Sequence, residues 1–478
     1  MNVAPKRHEE TLAALAGVLP EGGLLTRTED LERYSRDMSG DHFGRPLAVA
    51  RPATTEEVSA LLSRCHAARI PVVPQGGLTG LVGGAIAEEG QELVVSLERM
   101  NRVRSVDPIN FAMIVEGGCI LEEAKRAAAE QDCLLPITFG SQGSCRIGGN
   151  VATNAGGFNV LRYGMTRDLV LGLEVVLPDG RIWNGLKVLR KDNRGYDLKQ
   201  LFIGSEGTLG IVTAAALKLF PRPTQVETAL VGLRSVEDAM TLYARARREC
   251  SDLISAFELL LRRSIDITLR SRPDLGDPLG RSYPVYVLIE ASAGGRLDLH
   301  ALMEDFLAGS ADLVEDGVLA VSHAQADRLW LYREVMVETQ GRGGRFLRTD
   351  VSVPISRLAD FVDEALRELG NAVPDAQPVT YGHVGDGNLH LNVVPPPGLD
   401  ADATDRLFHQ AEAVIFSVVD RFGGSISAEH GIGRVKREAF LERVDAVSLD
   451  LATRLKQALD PRHLLSDGRI LPARPNRH

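Results

Sequence analysis

Glycine is concentrated in three tracts of the first half of this chain: residues 75–84, 139–157 and 204–210. Glycine loses more backbone freedom on folding than any other residue, so such density needs a return beyond simple packing. Tight turns of this kind aim backbone N–H groups at one point, where they neutralise phosphate oxygens with no side chain in the way. One tract alone would read as a turn. Three in one region point to a cofactor carrying a diphosphate. No G-x-G-x-x-G follows the first strand and no G-x-x-x-x-G-K-[ST] occurs, which removes the usual dinucleotide and P-loop alternatives.

Between the tracts the pattern alternates. Thr54 and Glu57 form a capping-box signature ahead of Val58, Leu61, Leu62 and Cys65, which predicts an amphipathic helix over 55–69. Strands are expected at 71–74, 92–97 and 112–116, a helix over 121–131, and a hairpin from 169–177 and 181–183 around Pro178-Asp179-Gly180. Composition shifts after Pro221-Arg222-Pro223, where a strand at 285–290 alternates with helices over 298–307 and 324–337. Ser356 is expected to cap a helix ending near Leu369, and Gly423 to close another begun near Ala403. The expected organisation is a helical N-terminal segment (1–44), a cofactor domain (45–222), a second domain (223–424) and a C-terminal segment (425–478).

The densest chemistry lies in that second half. His383 and His390 stand seven residues apart around Gly385-Asp386-Gly387, a turn that folds back and brings both imidazoles to one point. Glu429 and His430 follow among glycines. Two imidazoles and one carboxylate leave open positions on a metal ion. The alternative is that glycine-rich turns carry His and Asn for their backbone tolerance.

The net charge of −10 argues against a nucleic-acid surface. Five scattered cysteines without a C-x-x-C pair fit reduced thiols and no iron–sulfur cluster. The first residues lack an apolar leader and no run approaches a membrane span, so the expected location is cytoplasmic.

The residues 51–58, 74–84, 148–157 and 204–212 resemble the flavin domain of the vanillyl-alcohol oxidase/p-cresol methylhydroxylase (PCMH) superfamily, and 381–392 with 427–433 resemble its D-2-hydroxyacid dehydrogenase branch, which includes D-lactate and D-2-hydroxyglutarate dehydrogenases. The likeness runs in order over 45–475. It implies an α+β protein: a two-subdomain PCMH-type FAD-binding domain, an α+β cap domain with an antiparallel sheet for the substrate, and a C-terminal segment returning to the flavin. Pro74, Gly76, Gly77, Leu78, Thr79 and Gly80 would hold the FAD diphosphate region, with Pro136, Gly140, Ser141, Gly148, Asn150, Thr153, Asn154, Glu206, Gly207 and Ile211 lining the rest. Leu78 and Ser466 stand where relatives usually have Asn. With no histidine in 71–85, FAD is expected to be bound non-covalently.

The resemblance assigns His383, His390 and Glu429 to a divalent metal, with zinc ahead of manganese or iron, and His430 to the catalytic base. A metal on the substrate hydroxyl and carboxylate would lower the hydroxyl pKa while His430 takes the proton. Arg333, Arg348, Asn392 and Val337 are the substrate candidates. Relatives specific for dicarboxylates usually carry Lys at 348 and Thr at 337, so the distal end of the substrate is the open point. The expected partners are a small anionic 2-hydroxyacid and a separate electron acceptor, an electron-transfer protein or a quinone. A homodimer is compatible with the sequence. The competing readings are an oxidase or a non-redox enzyme of the same superfamily, and an FAD-binding subunit of a glycolate-oxidase-like complex. A non-catalytic subunit would have no need of both histidines, Glu429 and His430.

Overall fold

The structure, a computed structural model, describes residues 12–88, 90–342 and 344–473, and leaves the side chain of Val337 undescribed. It divides into two compact units. The first comprises Met1–Gly157, Gly164–Arg222 and Glu429–His478, and the second Phe158–Tyr163 and Pro223–Ala428.

In the first unit Thr54 caps the helix Thr55–Ala68 by accepting the Glu57 N–H, and the Glu57 carboxylate accepts the N–H of Ala53. The apolar face of this helix, Val58, Leu61, Leu62 and Cys65, is buried against a four-stranded sheet. Its strands run in the order Leu24–Leu25, Ala48–Ala50, Leu93–Ser96, Val72–Gln75, the last three parallel. Burial on both faces explains their continuous apolar runs. A second, antiparallel sheet runs Val103–Asp107, Ala112–Glu116, Ile211–Lys218, Val170–Val176, Ile182–Asn184. The expected hairpin is there, with Gly180 at φ 91° in its turn.

The C-terminal segment is riveted to the rest of this unit by two buried cations, Lys456 and Arg469. Lys456 Nζ donates to Asp460 Oδ2 at 2.6 Å and to the carbonyls of Leu465 and Thr208 at 2.7 and 2.8 Å, using all three of its protons. Asp460 also accepts the N–H groups of Leu464 and Leu465. Arg469 is fully buried, paired with Glu92 and donating to the carbonyls of Gly84, Ile86 and Asp467.

The second unit is built on one antiparallel sheet of seven strands, in the order Val314–Leu319, Gln225–Leu233, Val285–Ala293, Ile254–Leu261, Gln377–His383, Asn388–Val394, Val351–Ser352. Two expectations are corrected here. Ser356 does not cap the helix, which is Leu358–Ala372; it lies inside a 3₁₀ turn, Ile355–Arg357, because Pro354 fixes the entry and its carbonyl accepts the Arg357 N–H. The helix expected over 324–337 is two, His323–Glu334 and Met336–Gly341, the first capped by Ser322. The chain boundary after Arg222 also has an outlier. Phe158–Tyr163, from the glycine-rich half, belongs to the second unit, where Arg162 donates to the Ser292 carbonyl and hydroxyl. No described helix is long and apolar enough to cross a membrane.

Leu78 (φ 58°) and Ser466 (φ 47°) both adopt the left-handed conformation. That explains the usual Asn at these places: both residues bring a Cβ against the following carbonyl, but the short polar side chain of Asn can offset this with a local hydrogen bond that Leu cannot make. Leu78→Asn is expected to stabilise the protein by on the order of 1 kcal/mol, read as a higher denaturant midpoint at unchanged slope. Lys456→Met should cost about 3–5 kcal/mol by leaving the Asp460 carboxylate buried without its cation. A midpoint within error of wild type for Lys456→Met would show that this buried ammonium is not holding the C-terminal segment.

Candidate active site

The glycine tracts of the first unit pack on one another. A Cβ on Gly77 would lie 2.1 Å from the Ser144 carbonyl, and one on Gly148 3.0 Å from that of Gly117. A Cβ on Gly433 would lie 2.3 Å from the Val82 carbonyl. These glycines are required by backbone contact. Gly80 and Gly140 have nothing within 4 Å of a built Cβ and face open space. Among the described residues, the N–H groups of Gly76, Gly77, Leu78, Thr79 and Gly80 donate to no protein acceptor. Gln75 Oε1 and Ser466 Oγ are buried without a partner. Unpaired donors on a loop that one or more glycines leave open fit the diphosphate of FAD.

Other expected cofactor residues have their side chains engaged inside the protein. Glu206, at φ 51°, accepts the N–H groups of Ile432 (2.7 Å) and Gly433 (2.8 Å). Burial pushes its carboxyl above the usual range, and those two donors oppose the shift. Glu206 thus fixes the turn that follows Glu429 and His430. Thr153 Oγ1 donates to the Gly149 carbonyl. Asn154 ends the helix Ile147–Thr153 at φ 50° and accepts the Arg167 N–H. Asn150 is buried with Nδ2 on the sulfur of Cys145, Ile211 opens its strand fully buried, and Gly207 (φ 71°) packs on Pro74. Pro136 is buried, and the Ser141 carbonyl accepts the N–H groups of Ser144 and Cys145. Glu429 accepts the Gly157 N–H at 3.1 Å; Glu429 and His430 are both partly exposed members of the first unit.

The histidine pair lies in the second unit on the hairpin Gln377–His383/Asn388–Val394, whose turn holds Gly387 at φ 83°. Tyr381 faces His390 across the hairpin, so His383, two residues on, projects from the same face. The two rings are 6.1 Å apart, and each offers a ligand atom within 4.8 Å of the other's. Their tautomers follow from their partners. His383 Nδ1 lies 2.5 Å from Glu258 Oε1 and His390 Nδ1 lies 3.2 Å from the Thr349 carbonyl. Both oxygens only accept, so both Nδ1 atoms carry the proton, which in the neutral ring leaves the lone pair on Nε2. Arg333 Nη2, which only donates, lies 3.4 Å from His383 Nε2 and agrees with that assignment. Two buried imidazoles that turn their Nε2 edges toward one another's are a donor set that a divalent cation takes.

Arg333 is 4% exposed. Its Nε is held by Glu258 Oε2 at 2.7 Å, and its guanidinium lies over the rings of Tyr381 (4.7 Å) and Phe158 (5.2 Å). Arg348 is half-buried and lies over Phe346. Asn392 spends both amide protons on Gln340 and Tyr381 and accepts the Thr349 N–H, so it ties three segments of the second unit together with both donors engaged. The Val337 side chain lies outside the described residues.

Sequence reasoning missed three residues here. Glu258 was signalled by its charge within the apolar run Ala256–Leu261. Asp350 is fully buried, bonded to Asn388, and places a carboxylate oxygen within 4.8 Å of a His390 nitrogen. Phe158 packs edge-on against His383, with ring centroids 5.4 Å apart, and nothing local marked it.

Comparison with known proteins agrees with both units. Residues 46–185 match the FAD binding domain model, and residues 222–470 match the model described as FAD linked oxidases, C-terminal domain. The mitochondrial D-2-hydroxyglutarate dehydrogenase of Rattus norvegicus is 39% identical over 98% of this chain and 85% of its own. The D-2-hydroxyglutarate dehydrogenase of Xanthomonas citri pv. viticola is 39% identical over 96% of each chain. Among solved structures, p-cresol methylhydroxylase with substrate bound aligns with TM-score 0.75 at 17% identity, over 99% of this chain and 98% of its own, a likeness of fold. The chain belongs to the PCMH-type FAD-linked oxidases, in the branch that holds the D-2-hydroxyglutarate dehydrogenases, and is an FAD-dependent oxidoreductase of that family.

Proposed function

We propose that this protein oxidises a D-2-hydroxyacid to the 2-oxoacid with the help of one divalent cation, and passes the electrons from FAD to a separate acceptor. The observation that carries the cation is the pair of Nε2 lone pairs on His383 and His390, set by Glu258 and Thr349. Glu429 is the third ligand and His430 the base by the sequence motif 427–433. When bound, the cation would acidify the substrate hydroxyl, and FAD would supply the hydride acceptor. Zinc suits this ligand set, as do manganese and iron. Arg333 is oriented to bind the carboxylate beside the carbinol, with Glu258 fixing its Nε edge and two aromatic rings fixing its plane. His430 takes the hydroxyl proton on a ring nitrogen.

D-2-hydroxyglutarate is the first substrate to test, because the relatives at 39% identity carry it in their names. Arg348 offers a charge to a distal carboxylate. Val337 has no hydroxyl where dicarboxylate-specific relatives usually have Thr, which removes one neutral hydrogen bond worth about 0.5–1.5 kcal/mol. D-malate, D-lactate and longer apolar D-2-hydroxyacids therefore compete more closely than in those relatives.

Three outcomes are expected. Acid precipitation releases the flavin, since no histidine lies in 71–85 and Cys119 and Cys145 are buried; flavin retained on the denatured chain would contradict this. Elemental analysis finds one divalent metal per chain, lost in Glu429→Ala and kept in His430→Ala, whose kcat falls about 10²–10⁴-fold. Full activity in the presence of a strong chelator, with no stoichiometric metal, would refute the cation. With a dye acceptor, D-2-hydroxyacids turn over and L-enantiomers do not, and Val337→Thr raises kcat/KM for D-2-hydroxyglutarate relative to D-lactate. An unchanged ratio would remove Val337 from the pocket.

A further inference from the structure

We propose that Glu258 is a positioning residue that ties the cation-binding imidazole of His383 to the carboxylate-binding guanidinium of Arg333, so that both binding events depend on one buried carboxylate. The inference rests on the cation and substrate reading above. Glu258 lies on the strand Ile254–Leu261, directly opposite His383 in the sheet register, so both side chains leave the same face. It is 1% exposed and divides its two oxygens: Oε1 to His383 Nδ1 at 2.5 Å and Oε2 to Arg333 Nε at 2.7 Å.

Two functions follow from that division. Because both oxygens of a carboxylate accept, His383 is confined to the tautomer with a lone pair on Nε2. The carboxylate also neutralises Arg333, whose Nη2 lies 3.4 Å from that same Nε2 and would otherwise set a bare positive charge beside the cation. Glutamine is nearly the same size but cannot do both. Its oxygen can serve His383 or Arg333; its NH₂ then faces either the Arg333 N–H, which also donates, or His383 Nδ1. In the latter case His383 takes the other tautomer and Nε2 is blocked.

The test measures cation affinity of the FAD-loaded protein by chelator competition with zinc, alongside KM and kcat. Glu258→Gln is expected to bind zinc about 10–100-fold more weakly and to raise KM for the 2-hydroxyacid, with FAD content unchanged. Glu290→Gln is the control. Glu290 is a second, half-buried carboxyl on the neighbouring strand Val285–Ala293, bonded to Trp330 and Ser255; the zinc affinity of this variant should stay at the wild-type value. Equal losses in both variants, or wild-type zinc affinity in Glu258→Gln, overturn the inference while leaving the cation reading intact. A wild type that binds no zinc overturns that reading, and this one with it. Should Glu258→Gln fail to fold, the tautomer decides the matter in wild type: in histidine-¹⁵N-labelled protein without added cation, the signal lost in His383→Gln should show a protonated Nδ1 and a bare Nε2. The opposite tautomer excludes the role of Glu258.

Discussion

Backbone meeting backbone is the constraint on which the cofactor half of this protein depends. Gly77 against Ser144, Gly148 against Gly117 and Val212, and Gly433 against Val82 are contacts that a single methyl group would close. They bring the first two tracts, the strand after the third and the C-terminal return together in one unit, leaving the N–H groups of 76–80 without a protein acceptor among the described residues. Glu206 extends the same logic in charge: its carboxylate takes two N–H groups of the 432–433 turn and sets the loop that carries Glu429 and His430. The Lys456 bond to the Thr208 carbonyl and the Arg469–Glu92 pair then make that return costly to undo.

The substrate half solves a different problem. Charged groups must sit inside an apolar sheet, and each is kept there by donors and acceptors with no surplus. Glu258 has two partners for two oxygens, and Asn392 has acceptors for both its protons. Side chains held this way have few alternative rotamers, which suits the proposed site, where two imidazoles and one guanidinium would act in fixed directions.

What the sequence made legible was local. The capped helix Thr55–Ala68, the hairpin around Gly180 and the convergence of His383 with His390 all follow from spacing within a few residues. The cap failed at Ser356 because Pro354, two residues earlier, had already started a tighter turn. The charge of Glu258 stood out in its apolar run, but its role was hidden because its partner His383 is 125 residues away, and register across a sheet is set by pairing that no local window contains. Phe158–Tyr163 escaped for the same reason: its place in the second unit is decided by contacts with Ser292, Trp330 and His383, all distant in the chain. Leu78 and Ser466 were visible as departures from Asn, but their cause, a positive φ at both, needed the backbone.

The central claim is that bound flavin takes its electrons from the D-enantiomer of a 2-hydroxyacid, with His430 removing the hydroxyl proton. Anaerobic mixing of the FAD-loaded protein with D-2-hydroxyglutarate, and separately with its L-enantiomer, tests this in a single turnover. The account predicts loss of the flavin's visible absorbance with the D-enantiomer only, slowed at least a hundredfold in His430→Ala. Equal bleaching by both enantiomers, or a His430→Ala protein that bleaches at the wild-type rate, would contradict it.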